Sequence, residues 1–419
     1  MDSLTATDLL GRRLDRLRAT TRSTAQPWPT ARPDHATALA QAVGGRVARS
    51  EAGAIVDVRH SLELPVDTRS LTALPYPISA DHPLVCLDLE TTGLATAAGT
   101  VAFLVGLGTW AGGVLTVRQL LLPDHADESA LLDVLAEAMP ADPWLVTYNG
   151  RSFDWPLLVA RFRLHRRDPP PFAGHLDLLP VARQLWKHRL GNARLATVED
   201  ALCAVVREAD LPGALIPDRY FAYLRSRRGE LLRDVVEHNR QDIVSLGLLL
   251  RVLAAVASGE AWPGLDPGDL AGLARGYSRQ RRPAEALRCV ERALSVDAWS
   301  RGVVDGARVH RHLSAERARL LARLGRRDEA HAAWLEIAAR GGPGAALAWL
   351  HVARHREHVD RDVAGALAAC HEAAAIAERA RLWDRPMHAI ESDLERRMTR
   401  LRRRSFPRRS LSRGVGRAA

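Results

Sequence analysis

Two carboxylates leave one face of a predicted buried strand near residue 88. The stretch VCLDLETTGL (85–94) begins with apolar residues and sets Asp88 and Glu90 two positions apart, so both side chains point to the same side of the strand. Burying an unpaired carboxylate is costly, and two close carboxylates repel each other. The pair therefore indicates a cation site or a catalytic role, with solvated acids at a strand end as the structural alternative. Gly93 permits a tight backbone turn beside the acids, which weighs against that alternative.

Two later segments offer further ligand atoms. YNGRSFDWPLL (148–158) follows a predicted buried strand and opens a helix, with Asn149 at the strand end and Asp154 in the first helical turn. EHNRQDIVSLGLLL (237–250) places a histidine and an aspartate four positions apart, on one face of a helix. Taken singly, Asp154 is equally well a helix-start acid favoured by the helix dipole, and the His–Asp pair a surface pair.

The acids are more informative as a set than they are singly. The set comprises four carboxylates and one imidazole: Asp88, Glu90, Asp154, Asp242 and His238. Two divalent cations about 3.5–4 Å apart require about this number of hard oxygen ligands. A neutral imidazole beside them can accept a proton from water. The residues therefore predict a site for two Mg²⁺ or Mn²⁺ ions that hydrolyses phosphodiester bonds.

The elements that must position these residues predict an α/β domain followed by helices. Three strand-like runs separated by glycine-rich turns precede alternating helix and strand patterns, which predicts a mixed sheet flanked by helices. Beyond a Pro/Gly linker at 260–269 the chain is helical throughout. Alanines at matching positions recur near the tetratricopeptide period, which predicts a short, degenerate array of helical hairpins. These alanines are Ala286, Ala330 and Ala366.

We accordingly expect four parts of the chain. Residues 1–79 form an N-terminal extension with a helix and short strands, and residues 80–258 form the α/β domain. Residues 259–395 form the helical repeats, which either bind a protein partner or serve as a structural cap. Residues 396–419 form a basic tail that is disordered unless bound.

Composition restricts the class of protein further. The formal net charge is +10 and Lys187 is the only lysine; a genomic bias explains the choice of arginine, but the net positive charge suits a polyanionic partner. The cysteines are isolated, and no signal peptide is predicted. The longest apolar run, 243–257, is too short to span a bilayer. We therefore expect a cytoplasmic protein with no membrane partner. No phosphate-loop motif supports ATP hydrolysis, and the glycines of residues 106–113 predict a hairpin turn.

Three short motifs resemble those of a known nuclease superfamily. DLETTG, YNGRSFD and HNRQD occur in the order of the exonuclease motifs of the DEDD superfamily, which has a ribonuclease-H-like fold. The runs between them, including GTVAFLVGLG (99–108), HLDLLPVARQLWKHRL (175–190) and TVEDAL (197–202), more closely resemble the YprB-type ribonuclease-H-like proteins. The resemblance covers residues 80–250 in round numbers, and the helical C-terminus matches more loosely.

The resemblance implies a role for each residue of the set. Asp88, Glu90 and Asp242 would hold the first metal ion, and Asp154 would bind the second, to which Asp88 would bridge. His238 would be the general base. The pocket and groove for the 3′ end of a strand would be formed by Thr91, Thr92, Gly93, Leu94, Asn149 and Phe153.

One spacing departs from the superfamily pattern. Its histidine class places the histidine five residues before the aspartate, and its tyrosine class places a tyrosine four before. His238 takes the four-residue spacing, so the resemblance assigns the metal ligands more firmly than the base. Asp177 also lies close to the site by resemblance; we expect it to be a structural cap or a residue that supports a ligand, rather than a ligand, and His175 to be a packing residue.

These features together predict a Mg²⁺- or Mn²⁺-dependent 3′–5′ exonuclease that acts on single strands of RNA or DNA. One alternative is a catalytically inactive nucleic-acid-binding scaffold with the same fold, and the intact set of acids argues against it. A second alternative is a structure-specific endonuclease that uses the same metal site.

Overall fold

Most of the chain is covered by the computed structural model. The described residues are 34–93, 99–205, 207, 211–295 and 306–405. The helix predicted within the N-terminal extension and the predicted pocket residue Leu94 lie outside the described residues.

A seven-stranded mixed sheet forms the centre of the first half of the chain. Its strands are β1 (Arg46–Ser50), β2 (Gly53–Glu63), β3 (Leu84–Thr91), β4 (Ala102–Ala111), β5 (Val114–Leu121), β6 (Trp144–Thr147) and β7 (Gly174–Asp177). The spatial order is β1-β2-β5-β4-β3-β6-β7. Strands β1 to β5 pair antiparallel, whereas β3 pairs with β6 and β6 with β7 in parallel. The predicted mixed sheet is thereby confirmed.

The sheet begins earlier in the chain than the predicted start at residue 80. Strand β2 pairs antiparallel with β5 from Val56 to Glu63, and β1 pairs with β2. Ile55, Val56 and Val58 of β2 are buried, because this strand packs on the same apolar core as its neighbours. Part of the predicted N-terminal extension therefore completes the sheet of the α/β domain.

Helices cover the sheet. They are α1 (His35–Val43), α2 (Thr68–Leu71), α3 (Glu128–Ala138), α4 (Asp154–Leu164), α5 (Leu178–Leu185), α6 (Lys187–Leu190), α7 (Leu195–Cys203), α8 (Ile216–Ser226) and α9 (Arg233–Ser258). The longest of them in this half, α9, packs on β3, β4 and β5. It therefore lies across the centre of the sheet, over the strand that carries the first two acids.

Glycines in β4 allow α9 to approach the sheet closely. A Cβ atom at Gly106 would lie 2.4 Å from Asn239 Oδ1 and 2.9 Å from Ile243 Cγ1, and one at Gly108 would lie 2.7 Å from Ile243 Cγ2. All three distances are far shorter than a van der Waals contact, so only glycine fits under the helix at these positions.

The hairpin turn predicted for the glycines of residues 106–113 is confined to the last two of them. Gly112 and Gly113 connect β4 to β5, and their φ angles of 58° and 83° lie in the left-handed region that glycine tolerates. The earlier glycines are strand residues, and close packing rather than backbone conformation explains them.

Helix α9 also has the composition of a membrane-crossing helix. The segment Gly229–Ser258 contains a window of mean hydropathy 1.6, and 56% of that window is buried inside the protein. Its contacts with three strands of the sheet account for this apolar character as core packing.

The second half of the described chain is an array of helices. It consists of α10 (Pro267–Arg279), α11 (Pro283–Ser295), α12 (Gly306–Arg323), α13 (Arg327–Arg340), α14 (Ala345–His358), α15 (Val363–Leu382) and α16 (His388–Ser405). Consecutive helices pack on each other, and the matching alanines Ala286, Ala330 and Ala366 are all buried at these contacts. One apolar cluster runs from α9 into α10 and onward, so the array continues the core of the α/β domain.

The basic tail begins later than predicted. Residues 396–405 belong to α16, because the buried carboxylate of Glu357 on α14 pairs with Arg397, Arg400 and Arg404 of this helix. The rest of the predicted tail, residues 406–419, lies outside the described residues.

The close approach of α9 gives a test of the packing. Gly106→Ala should lower the free energy of unfolding by about 1–3 kcal/mol, because the new methyl group overlaps Asn239 and Ile243. Urea denaturation measures the change. Gly213→Ala is the matched control, since a Cβ there meets nothing within 4 Å. Equal stability of the two variants would contradict the packing described for β4 and α9.

Candidate metal centre

The first two acids lie on β3, in the middle of the sheet. Asp88 is paired with Gly106 of β4 and Glu90 with Leu104, and the register shifts directly after Glu90. The Glu90 side chain is buried, and Asp88 keeps a small solvent-facing edge. Both residues therefore face the side of the sheet that α9 covers.

Asp154 reaches β3 from the start of α4. It is buried, and its carboxylate accepts hydrogen bonds from its own backbone amide and from that of Leu89. A Cβ atom at Gly150 would lie 2.7 Å from Asp154 Oδ2, so the preceding turn presses closely on this carboxylate. Since Leu89 stands between the two acids of β3, Asp154 joins them at one end of the strand.

Helix α9 contributes the remaining members of the set. Asp242 and His238 lie one helical turn apart, with His238 Nε2 3.7 Å from Asp242 Oδ2. Both side chains are mostly enclosed, with 14% of His238 and 16% of Asp242 exposed. The negative charge of Asp242 acts on both Asp88 and Asp154, which brings the third motif to the same place as the first two.

A buried amide, not predicted from the sequence, connects α9 to β3. Asn239 Nδ2 donates a hydrogen bond to Asp88 Oδ2 at 2.8 Å, and Asn239 Oδ1 accepts one from Gln119 Nε2 at 2.9 Å. Gln119 Nε2 also donates to the Val236 carbonyl at 2.7 Å. Asn239 and Gln119 are fully buried, so they orient the Asp88 carboxylate from behind. Asn239 stands within the HNRQD motif, next to the histidine that was predicted.

Burial and neighbouring negative charges raise the pKa of three of the four acids. Burial raises the pKa of Asp88 well above its usual range, and the charges of Asp242, Glu90 and Asp154 raise it further. Burial raises the pKa of Asp154 to about 7, with Asp177 and Asp242 adding to the effect. The pKa of Asp242 is also raised by burial. Clustered acids whose ionised forms are destabilised in this way are a donor set suited to divalent cations.

The acids are near one another without forming a tight ligand cluster. In the part of the chain that the structure describes, the groups whose ligand atoms lie within 4.8 Å of one another are elsewhere: His331–His355–Asp360 and His188–Asp266–Asp269.

An arginine that was not predicted lies beside Asp242. The Arg207 guanidinium forms two hydrogen bonds with Glu199 of α7, and its Nη2 also donates to Asp242 Oδ1. Glu199 is fully buried and Arg207 is 9% exposed. Arg207 occupies one oxygen of Asp242, and the other oxygen faces His238. Arg207 therefore orients this carboxylate, and hydrogen bonds of this kind to carboxylate ligands are common around metals.

The predicted pocket residues take varied positions. Thr91 is buried and its hydroxyl donates to the Gly93 carbonyl at 2.7 Å, while Thr92 Oγ1 accepts from the Val101 amide at 3.0 Å. Asn149 is exposed with a left-handed φ of 69°, and Phe153 directly precedes α4. Gly93 has no left-handed φ, and a Cβ there would make an ordinary 3.6 Å contact. The backbone conformation at Gly93 is therefore one that other residues also adopt.

Asp177 and His175 behave as predicted. Asp177 accepts hydrogen bonds from the backbone amides of Asn149 at 2.8 Å, Arg151 at 3.2 Å and Leu179 at 3.0 Å, which caps α5 and fixes the turn before Asp154. His175 is buried against Thr147, with its Nε2 2.8 Å from Thr147 Oγ1, and burial lowers its pKa to about 4. Both residues support the site, and the charge of Asp177 also raises the pKa of Asp154.

Comparison with known proteins agrees with this architecture. Residues 85–254 match the sequence family described as the RNase_H superfamily, and this range includes all four acids. The chain is also similar to the "Uncharacterized protein YprB" of Bacillus subtilis (strain 168), with 33% identity over 239 residues. That alignment covers 56% of this chain and 58% of YprB, so the chain spans less than two thirds of its relative. The predicted ribonuclease-H-like fold of the sheet domain is confirmed, and a nuclease-like domain is present.

The raised pKa of Asp154 has a measurable effect on the metal-free protein. Between pH 4 and 7 the folded state binds a proton at Asp154 that the unfolded state has released, so this residue lowers stability as pH rises. Asp154→Asn should therefore raise the free energy of unfolding by about 2 kcal/mol at pH 8 and change it little at pH 4. Urea denaturation in EDTA at both pH values measures this. The exposed Asp218→Asn serves as control, and a variant less stable than wild type at pH 8 would contradict the strained state of the acids.

The contact between Arg207 and Glu199 gives a second stability test. Arg207→Gln should cost about 3 kcal/mol, because it leaves the fully buried Glu199 carboxylate without its cation. The double variant Glu199→Gln/Arg207→Gln should regain most of that loss. Thermal and urea unfolding of the three proteins in EDTA provides the comparison. Additive losses in the double variant would argue against the pairing.

Proposed function

We propose that this protein is a metal-dependent nuclease that removes nucleotides from the 3′ end of single-stranded nucleic acid. The observation that carries the proposal is the convergence of Asp88, Glu90, Asp154 and Asp242, contributed by three separate segments of the chain, on one largely buried place. Acids with a purely structural role would gain nothing from this arrangement, since the charges of Asp242, Glu90 and Asp154 destabilise the ionised form of Asp88. The match to the RNase_H superfamily over the same residues supports the same reading.

Each acid has a proposed duty at the site. Asp88, Glu90 and Asp242 would hold one divalent ion, and Asp154 together with Asp88 would hold the second. Bound Mg²⁺ or Mn²⁺ would neutralise the phosphodiester and lower the pKa of a water molecule. Asn239 keeps Asp88 in place through the 2.8 Å hydrogen bond, and Arg207 pairs with Asp242 Oδ1, while Oδ2 faces His238.

His238 is the proposed general base. Its imidazole lies on the same face of α9 as Asp242, with Nε2 3.7 Å from the carboxylate, and 14% of its side chain remains exposed. A proton accepted by Nε2 from the attacking water would be stabilised by the adjacent carboxylate. The four-residue spacing thus places the histidine beside the aspartate that lies one helical turn later.

The strand end would lie against the turn that follows β3. Thr91, Thr92 and Gly93 form this turn, and Asn149 is exposed at the end of β6 across from it. Leu94, Asn149 and Phe153 complete the proposed pocket. We also propose a reducing, cytoplasmic location, because Cys86, Cys203, Cys289 and Cys370 are all free thiols.

Substitution of the acids tests the proposal. Asp88→Asn and Asp242→Asn should each reduce Mn²⁺-dependent hydrolysis by about a thousandfold or more, because each removes a charged metal ligand. The assay follows 5′-labelled single-stranded RNA and DNA side by side, with Mn²⁺ or with EDTA. Asp218→Asn, an exposed acid on α8, should retain full activity. Undiminished activity in Asp88→Asn would refute the assignment.

Two further measurements separate the proposed exonuclease from its alternatives. Substrates with blocked 3′ ends should resist hydrolysis, whereas an endonuclease would cut them internally. Calorimetric titration should show that Mn²⁺ binds wild type and not the Asp88→Asn variant. An inactive scaffold would bind the ion weakly in both proteins.

A further inference from the structure

Four arginines extend from the acid site to the first helix of the array. They are Arg151, Arg183, Arg275 and Arg279, which we call the arginine strip. All four are exposed. Arg151 and Arg279 line the same cavity of about 240 Å³, which lies between the α/β domain and α10. The strip therefore crosses from one half of the chain to the other.

The first two members stand beside the second motif. Arg151 lies in the turn between Asn149 and Asp154, where its backbone amide is held by Asp177 and its side chain donates to the His175 carbonyl. Arg183 is on α5, close enough for its charge to act on Tyr148 in the same turn. These two cations therefore border the place where the strand end is proposed to bind.

The other two members belong to α10. Arg275 Nη2 donates to the Gln184 carbonyl at 3.3 Å, and burial together with the charge of Arg279 lowers the pKa of Arg275. Gln184 Nε2 in turn donates to the Gly272 carbonyl at 2.8 Å, and Tyr277 donates to the Ala73 carbonyl at 3.0 Å. Helix α10 is thus fixed to the α/β domain, which holds its arginines at a constant distance from the acids.

The members of the strip have no acidic partner, whereas several other arginines of the protein are paired with one. Arg227 pairs with Asp124, and Arg326 with Glu329. Within the described ranges, no member of the strip forms an ion pair with a carboxylate within 4.0 Å. Four uncompensated cations in one row repel one another and are stabilised by a polyanion.

We propose that the arginine strip binds the phosphates of a single-stranded nucleic acid whose 3′ end occupies the acid site. The first helix of the array is then part of the substrate-binding surface, and longer strands bind more tightly than short ones. Guanidinium groups suit this role because they hydrogen-bond phosphate oxygens in pairs without reading the base. The inference rests on the proposed nuclease function for the position of the 3′ end.

A charge-reversal pair tests the strip. Arg275→Glu/Arg279→Glu is compared with Arg379→Glu/Arg385→Glu, which changes the net charge equally at exposed arginines on and after α15. Fluorescence anisotropy in EDTA measures the affinity for a 20-nucleotide single strand over a range of salt concentrations. The strip variant should bind about tenfold or more weakly, and its salt dependence should fall by about 1.4 in log–log slope, since each phosphate that an arginine neutralises adds about 0.7 to that slope. The control should stay within about twofold of wild type, allowing for the generic effect of net charge.

A milder variant is the control for an effect of the substitutions on folding. Arg275→Gln/Arg279→Gln removes the two charges without introducing acids, and it should show a smaller loss of affinity with the same change in slope. Thermal unfolding should be the same for the variants and the wild type. If both strip variants bind the 20-mer as tightly as the control variant does, the strip does not contact nucleic acid. The strip would then be expected to bind an acidic protein surface.

Hydrolysis of substrates of two lengths separates this inference from the proposed function. A trinucleotide reaches only the acid site, so the strip variants should cleave it as wild type does, while KM for the 20-mer rises about tenfold. Weakened 20-mer binding in a protein that hydrolyses neither substrate would uphold the strip and refute the nuclease. Unchanged KM for the 20-mer in an active enzyme would refute the strip and uphold the nuclease.

Discussion

The mutual repulsion of four carboxylates is the constraint on which this structure depends. Asp88, Glu90, Asp154 and Asp242 are held where water cannot screen them well, and their proximity raises the free energy of ionising the cluster. A fold keeps such a group only if its surrounding elements bind one another strongly enough to oppose the repulsion. A divalent cation would attract all of these carboxylates, so the group that repels itself without the ion is suited to bind one.

The opposing forces come from hydrogen bonds made behind the acids. Asn239 and Gln119 form a buried chain of hydrogen bonds that ends on Asp88, and Asp177 fixes the turn before Asp154 through three backbone amides. These contacts orient the carboxylates without neutralising those of β3 and α4. Arg207 is the exception, since it brings a full charge to Asp242, and it is itself balanced by the buried Glu199. These contacts therefore shape the site, and Asp242 is the acid of the set that they pair with a cation.

The helical array takes part in this arrangement because it shares a core with the α/β domain. Apolar residues of α9 and α10 belong to one cluster, and Tyr277 and Gln184 connect the two halves by hydrogen bonds. Helix α9 carries Asp242 on the face toward the sheet and supports the array further along its length. The array consequently has a fixed position relative to the acids rather than a tethered one.

Local periodicity was sufficient to predict much of the site from the sequence. The strand period places Asp88 and Glu90 on one side, and the helical period places His238 and Asp242 on one face. The mixed sheet follows from the order of strands and helices.

Tertiary structure alone decided which partners hold these groups. Gln119 and Asn239 are 120 positions apart, and Arg207 and Asp242 are 35 apart. The glycine at 106, the pairing of β2 with β5 and the pairing of α16 with Glu357 likewise depend on segments distant in sequence. Contacts of this kind leave no period in the chain, because they are fixed by how faces pack rather than by which residues follow one another.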